Sequence, residues 1–132
     1  MKRILIAGIG NVFHGDDGFG VEAARELSTR PQRAGITVKD FGIRAYDLAL
    51  ALTDGYDAAI LVDAAPRGVA PGTVCLLEPD MDRPFGVHPL GCPPPPNTLK
   101  GGHRTGSFVI FRLPRICVRS WKSTINRQLS TS

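Results

Sequence analysis

The run Ile4-Leu5-Ile6-Ala7-Gly8-Ile9-Gly10-Asn11, continuing through Val12-Phe13-His14-Gly15-Asp16-Asp17-Gly18-Phe19-Gly20, most narrows the folds open to this chain. Ile4 to Ala7 is an uninterrupted apolar run closed by glycine, the pattern of a parallel strand covered on both faces. Gly8 and Gly10 allow a sharp turn, and Asn11 tolerates the left-handed region. Asp16 and Asp17 follow where a helix is expected to begin. A buried strand, a glycine turn and a carboxylate pair at a helix mouth together mark the candidate site.

The rest of the first half repeats the alternation. Val21, Ala24 and Leu27 fall at helical spacing between Gly18 and Thr29, with Glu22, Arg25 and Glu26 on the opposite side, and Pro31 and Gly35 end the helix. Ile36–Phe41 reads as a second strand and Ala45–Thr53 as a second helix stopping at Gly55. Ala58–Val62 is a third buried strand delivered into Asp63. Pro66–Gly72 reads as a turn region and Thr73–Leu77 as a short fourth strand. Strand, helix, strand, helix, strand predicts an α/β fold: three layers, a mostly parallel sheet with helices on both faces.

At 132 residues the chain is expected to form a single domain. Its C-terminal part, 87–132, differs from the rest. Residues 1–86 hold nine Lys/Arg and all twelve Asp/Glu, a net of −3, whereas 87–132 hold seven Lys/Arg and no carboxylate. The basic balance therefore belongs to the tail and is no nucleic-acid signature of the domain. Pro89–Pro96, with five prolines, predicts extended polyproline II. Ser107–Leu113 is a further strand candidate, and Val118, Trp121, Ile125 and Leu129 fit a short basic helix. The remainder of this part is expected to be irregular. No apolar run reaches the roughly 18 residues that span a bilayer, and the apolar run after Met1-Lys2-Arg3 is too short for a signal core. A cytoplasmic, monomeric protein is the expectation. Cys75, Cys92 and Cys117 are odd in number and without CxxC spacing, so neither a disulfide framework nor a zinc knuckle is expected, and Cys75 reads as core.

Asp17 and Asp63 each follow the carboxyl end of a predicted parallel strand, the edge at which open α/β sheets bind ligands. Brought together, two carboxylates repel unless a cation lies between them, and a nearby imidazole tilts the preference from magnesium toward zinc, nickel and similar ions. His88 is the best placed imidazole by chain order. Spacing leaves other uses open. Asp17 equally suits a helix N-cap, Asp16 a solvated neighbour, Asp63 turn chemistry, and His14, His88 and His103 surface positions. Gly8-Ile9-Gly10 also invites a dinucleotide reading, with Asp40 as the ribose ligand. However, Phe13 stands at the third glycine, and Asp16-Asp17 set negative charge where a pyrophosphate would sit.

Gly8-x-Gly10-Asn11, Gly15-Asp16-Asp17-Gly18-x-Gly20, Gly55-Tyr56-Asp57-Ala58-Ala59-Ile60-Leu61-Val62-Asp63-Ala64 and Pro71-Gly72-Thr73 together resemble the nickel-iron hydrogenase maturation endopeptidases, from Met1 to about Pro84. The resemblance implies a cytoplasmic α/β peptidase that removes a short C-terminal extension from the hydrogenase large-subunit precursor once nickel is in place. It implies a divalent metal site, the substrate's nickel or an ion such as zinc or cadmium, on Asp17, Asp63 and His88. Asp17 and Asp63 are then also the catalytic candidates. Gly8, Gly10 and Asn11 would shape the floor. Beyond Gly86 the likeness stops, because Pro89–Pro96 forbids the helix expected there. Two alternatives stand beside the endopeptidase: a metal-sensing binding protein without catalysis, and a nucleotide-binding α/β domain.

Overall fold

A computed structural model describes residues 1–65, 69–70, 72–80, 86–90 and 107–113. At 78–80, 86–90 and 107–113 it describes the backbone alone. The chain runs β1 (Ile4–Ile9), a 3-10 turn (Gly15–Gly18), α1 (Phe19–Ser28), β2 (Ile36–Gly42), α2 (Ala45–Leu52), β3 (Ala58–Ala65), β4 (Val74–Asp80), β5 (Gly86–Leu90) and β6 (Ser107–Leu113). The predicted polyproline run beyond Leu90, the helix over Val118–Leu129 and His103 lie outside the described residues.

Because β1 is apolar on both sides, it takes a partner on each edge and helices on each face. It pairs in parallel with β2, from Ile4↔Ile36 to Gly8↔Asp40, and with β3, from Ile4↔Ala58 to Gly8↔Val62. Beyond β3 the sheet continues as β6, β4 and β5, giving the order β2-β1-β3-β6-β4-β5. Three of the five pairings are parallel; β3–β6 and β4–β5 are antiparallel.

Strand periodicity sorts the two helices. Leu5, Ala7, Phe41 and Ala59 share one face and pack with Ala51 and Leu52 of α2 and with Tyr56 into the buried core. Gly8, of opposite parity, faces Gly20 and Ala24 of α1. The helices therefore cover opposite faces, and the α/β three-layer expectation holds. At the start of the sheet Arg3 registers β1 against the approach to β3. Its N–H donates to Asp57 Oδ2 at 2.9 Å, its carbonyl accepts from Asp57 N at 2.7 Å, and its guanidinium lies 4.8 Å from the Tyr56 ring centre.

Three boundaries depart from expectation. The first helix begins at Phe19 because the residues before it wind as a 3-10 turn. Asp63 lies inside β3 rather than after it, since β6 supplies antiparallel partners as far as Ala65↔Ser107. A fifth strand occupies Gly86–Leu90, where polyproline II was predicted from Pro89 onward. Pro89 is accommodated because β5 ends the sheet and makes ladder bonds on one side only. Cys75, wholly buried in β4, is disulfide-bonded, whereas the odd cysteine count predicted no such bond.

The contact that sets α1 on the sheet is backbone against backbone. A Cβ on Gly20 would fall within the van der Waals radii of Val62 O and Ile9 O, so no side chain fits between helix and strands. Gly20→Ala is expected to destabilise the fold by at least about 2–3 kcal/mol, the upper range for overpacking, read as a lowered urea midpoint with an unchanged slope. A midpoint equal to wild type would mean the helix rides free of the sheet.

Candidate functional site

The carboxyl ends of β1 and β3 and the turn into α1 converge on Gly10. This residue holds φ +134°, and a Cβ there would collide with the Asp17 carbonyl oxygen while lying 3.7 Å from Asp63 Oδ1. Glycine is therefore required where Asp17 and Asp63 approach one another. Hydrogen bonds fix the turn around it. Gly10 N donates to Gly42 O at 3.1 Å and Asn11 N to Asp17 O at 3.1 Å. Asn11 Oδ1 accepts from Phe13 N at 3.0 Å, Asn11 O from His14 N at 3.0 Å, and His14 O from Asp17 N at 3.3 Å. Asn11 thus ties both ends of the loop, in keeping with an asparagine at this turn.

Asp17 is half-buried in the 3-10 turn. It does not cap: the residue at the N-cap of α1 is Gly18, and neither the turn nor the helix has a side-chain cap. Asp63 is half-buried on β3, one residue beyond the last β1–β3 pair, so it stands at the carboxyl edge. Burial raises its pKa above the ordinary 3.8. The Ala64 N–H, 2.8 Å from Oδ1, draws it back, and the Asp17 charge pushes it up again. The other half-buried aspartate of this edge, Asp40, is paired with Arg25 at 3.3 Å. Among the described residues no ion pair reaches Asp17 or Asp63. Two carboxylates that feel each other without a basic side chain between them suit a divalent cation.

The remaining candidates are less close. Asp16 and His14 are exposed on the loop. His88 lies on β5, opposite Glu78 of β4. Three strand spacings, roughly 14 Å across the sheet, separate β5 from β3. The His88 side chain is outside the described residues. Among the described residues no three His, Cys, Asp or Glu side chains gather to hold a metal. For the dinucleotide reading, Asp40 is already engaged by Arg25, and the helix-packing glycine is Gly20 rather than position 13. Sequence reasoning also missed an apolar rim. Phe13 and Ile43, 91% and 76% exposed, stand on the loops beside Gly10. The one signal was a phenylalanine inside a glycine turn. No helix among the described residues is long and apolar enough to cross a membrane.

No family model matches the chain, and no solved structure matches it. Curated proteins do. A provisionally named hydrogenase maturation protease of Methanocaldococcus jannaschii is 36% identical over 80 residues, 60% of this chain and 52% of that protein. The hydrogenase expression/formation protein HupD of Rhizobium leguminosarum bv. viciae is 37% identical over 84 residues, 59% of this chain and 39% of the relative. That of Rhodobacter capsulatus is 34% identical over 80 residues, 60% and 38% of the two chains. The chain thus spans about half the length, or less, of the curated relatives it matches. These relatives bear out the family resemblance drawn from the residues.

Since folding raises the Asp63 pKa, the native chain holds this proton more readily than the unfolded one. That stabilisation is full below pH 3.8 and is lost as pH climbs through the native value. Asp63→Asn is therefore expected to melt higher than wild type at neutral pH, the gap closing on acidification to about pH 3.8. Added zinc or nickel ion should raise the melting temperature of wild type and leave that of the variant unmoved. A wild type indifferent to both ions would remove the cation from the site.

Proposed function

We propose, from homology to hydrogenase maturation proteins over about 60% of the chain, that this protein is an endopeptidase of hydrogenase maturation. Its substrate is the nickel-iron hydrogenase large-subunit precursor, from which it removes a C-terminal extension after nickel insertion. The observation that carries the reading is the pair Asp17 and Asp63 held around Gly10 with no basic partner among the described residues.

The donor set fits a divalent ion: two carboxylates at one sheet edge, one of them with raised proton affinity from burial and its neighbour's charge. Asp17 and Asp63 would hold it; His88, on β5 and three strands from β3, lies too far across the sheet to be counted with them. Nickel carried by the precursor is the natural occupant, which makes the site a sensor of loading. A bound ion also supplies Lewis-acid polarisation of a nearby carbonyl. Asp63 is also the candidate base, through the carboxylate oxygen that the ion leaves free. It takes the proton of a water whose oxygen bonds to the scissile carbonyl carbon, and returns it to the nitrogen as the peptide C–N bond breaks. Hydrogen bonds of the turn fix the Asp17 backbone, through Asn11 N to Asp17 O and Asp17 N to His14 O.

A second reading, recognition of nickel without cleavage, rests on the same two carboxylates, which no third His, Cys, Asp or Glu side chain joins among the described residues. Incubation with nickel-loaded precursor, followed by intact-mass spectrometry, separates the two. Wild type is expected to shorten the precursor. Asp17→Ala and Asp63→Ala should slow shortening by at least about 100-fold with unchanged circular dichroism. Processing at wild-type rate by either variant would refute the assignment, and binding without shortening by wild type would favour the sensor.

A further inference from the structure

Beside the carboxylate pair the sheet edge opens into a cavity of about 260 Å³ between the β1 turn and the β2–α2 turn. Its apolar walls are Val12, Phe13, Val21, Phe41 and Ile43, and Gly10 forms the end nearest Asp63. Phe13 and Ile43 present a phenyl ring and a branched aliphatic chain almost wholly to water. Neither sits on a slack loop. Phe13 N is held by Asn11 Oδ1, and Ile43 lies in a turn closed by Arg44 N to Phe41 O and Ala45 N to Ile43 O, each at 2.9 Å. Two apolar side chains facing solvent from separate hydrogen-bonded turns mark a contact surface rather than incomplete packing.

Charge narrows what the cavity takes. Arg25 is committed to Glu22 at 3.0 Å and to Asp40 at 3.3 Å. Arg44 donates to Phe41 O at 3.1 Å and to Asp40 O, and lies 3.6 Å from Asp47. A charged occupant therefore finds its counter-charges already engaged, whereas an apolar one finds bare hydrocarbon. Gly10 both lines the cavity and lies beside Asp63, so the cavity adjoins the edge that carries the carboxylates.

We infer that this cavity seats an apolar side chain of the polypeptide substrate adjacent to the bond that is cut, with Phe13 and Ile43 as its specificity-determining contacts. The inference rests on the proteolytic reading above. It adds that selection at the cut is hydrophobic, made by one loop from each side of the cavity.

The test uses large-subunit precursors in which each residue flanking the cut is in turn Ile, Ala or Asp. Wild type is expected to prefer Ile over Asp at one flanking position by on the order of 10–200-fold in kcat/KM, carried mainly in KM. Phe13→Ser or Ile43→Ser should reduce that preference to a few-fold. Tyr46→Ser, another exposed apolar residue but outside the cavity, should leave it intact. An unaltered preference in both cavity variants overturns the inference. Binding of the same precursors in nickel-free form to wild-type protein, read by biolayer interferometry, provides a readout without cleavage. If Ile-over-Asp selectivity appears in binding and no nickel-loaded precursor is cut, the cavity stands and the protease reading falls. Absence of selectivity in both assays overturns the cavity. A sedimentation dimer of wild type that Phe13→Ser dissolves would give these side chains to a second copy of the chain, and would also overturn it.

Discussion

The site depends on bare backbone contact at Gly20. With no Cβ there, the first turn of α1 lies directly on carbonyls of Ile9 and Val62, one from each of the two central parallel strands. That seating carries the preceding 3-10 turn down onto Gly10, where a second missing side chain admits the Asp17 carbonyl. A helix held off by even a methyl group would lift Asp17 away from β3. The two glycines thus convert a packing contact into a carboxylate geometry.

That geometry is unfavourable by itself, which is its chemical interest. Asp63 is partly desolvated and feels the charge of Asp17, and the single N–H from Ala64 does not offset both. Elsewhere several of the described acids have a basic partner: Asp40 and Glu22 with Arg25, Glu26 with Arg30, Asp47 near Arg44. Asp17 and Asp63, with no ion pair among the described residues, lie at the carboxyl edge of a parallel sheet, where ligands of α/β proteins bind. An uncompensated carboxylate pair there is poised to gain from an incoming cation, and the apolar cavity beside it is poised to gain from an incoming side chain. The adjacent features differ in character: one is charged, the other hydrocarbon.

Most of the first half was legible from local pattern. Apolar runs bounded by glycine and proline located β1, β2, both helices and the start of β3 within a residue or two, because burial on two faces and helical amphipathicity leave local signatures. Ser107–Leu113 was legible for the same reason. What local pattern missed was pairing. β6 inserts antiparallel between β3 and β4 and so lengthens β3 past Asp63. β5 forms at Gly86–Leu90 despite Pro89, because an edge strand needs only one set of ladder bonds. Whether Asp17 caps the helix was equally hidden, since an N-cap and a ligand place the same residue type at the same position, and the structure shows no side-chain cap bond there.

By itself the sequence determined the residue types at the turn, the order of strands and helices, and the family likeness, since each resides in contiguous residues. Only tertiary structure decided that Asp17 and Asp63, 46 positions apart, share one glycine's surroundings. It alone decided that Phe13 and Ile43 wall one cavity. The reason is physical: the distance between two side chains on different elements is set by how closely the backbones between them pack, here by the absent Cβ atoms of Gly10 and Gly20.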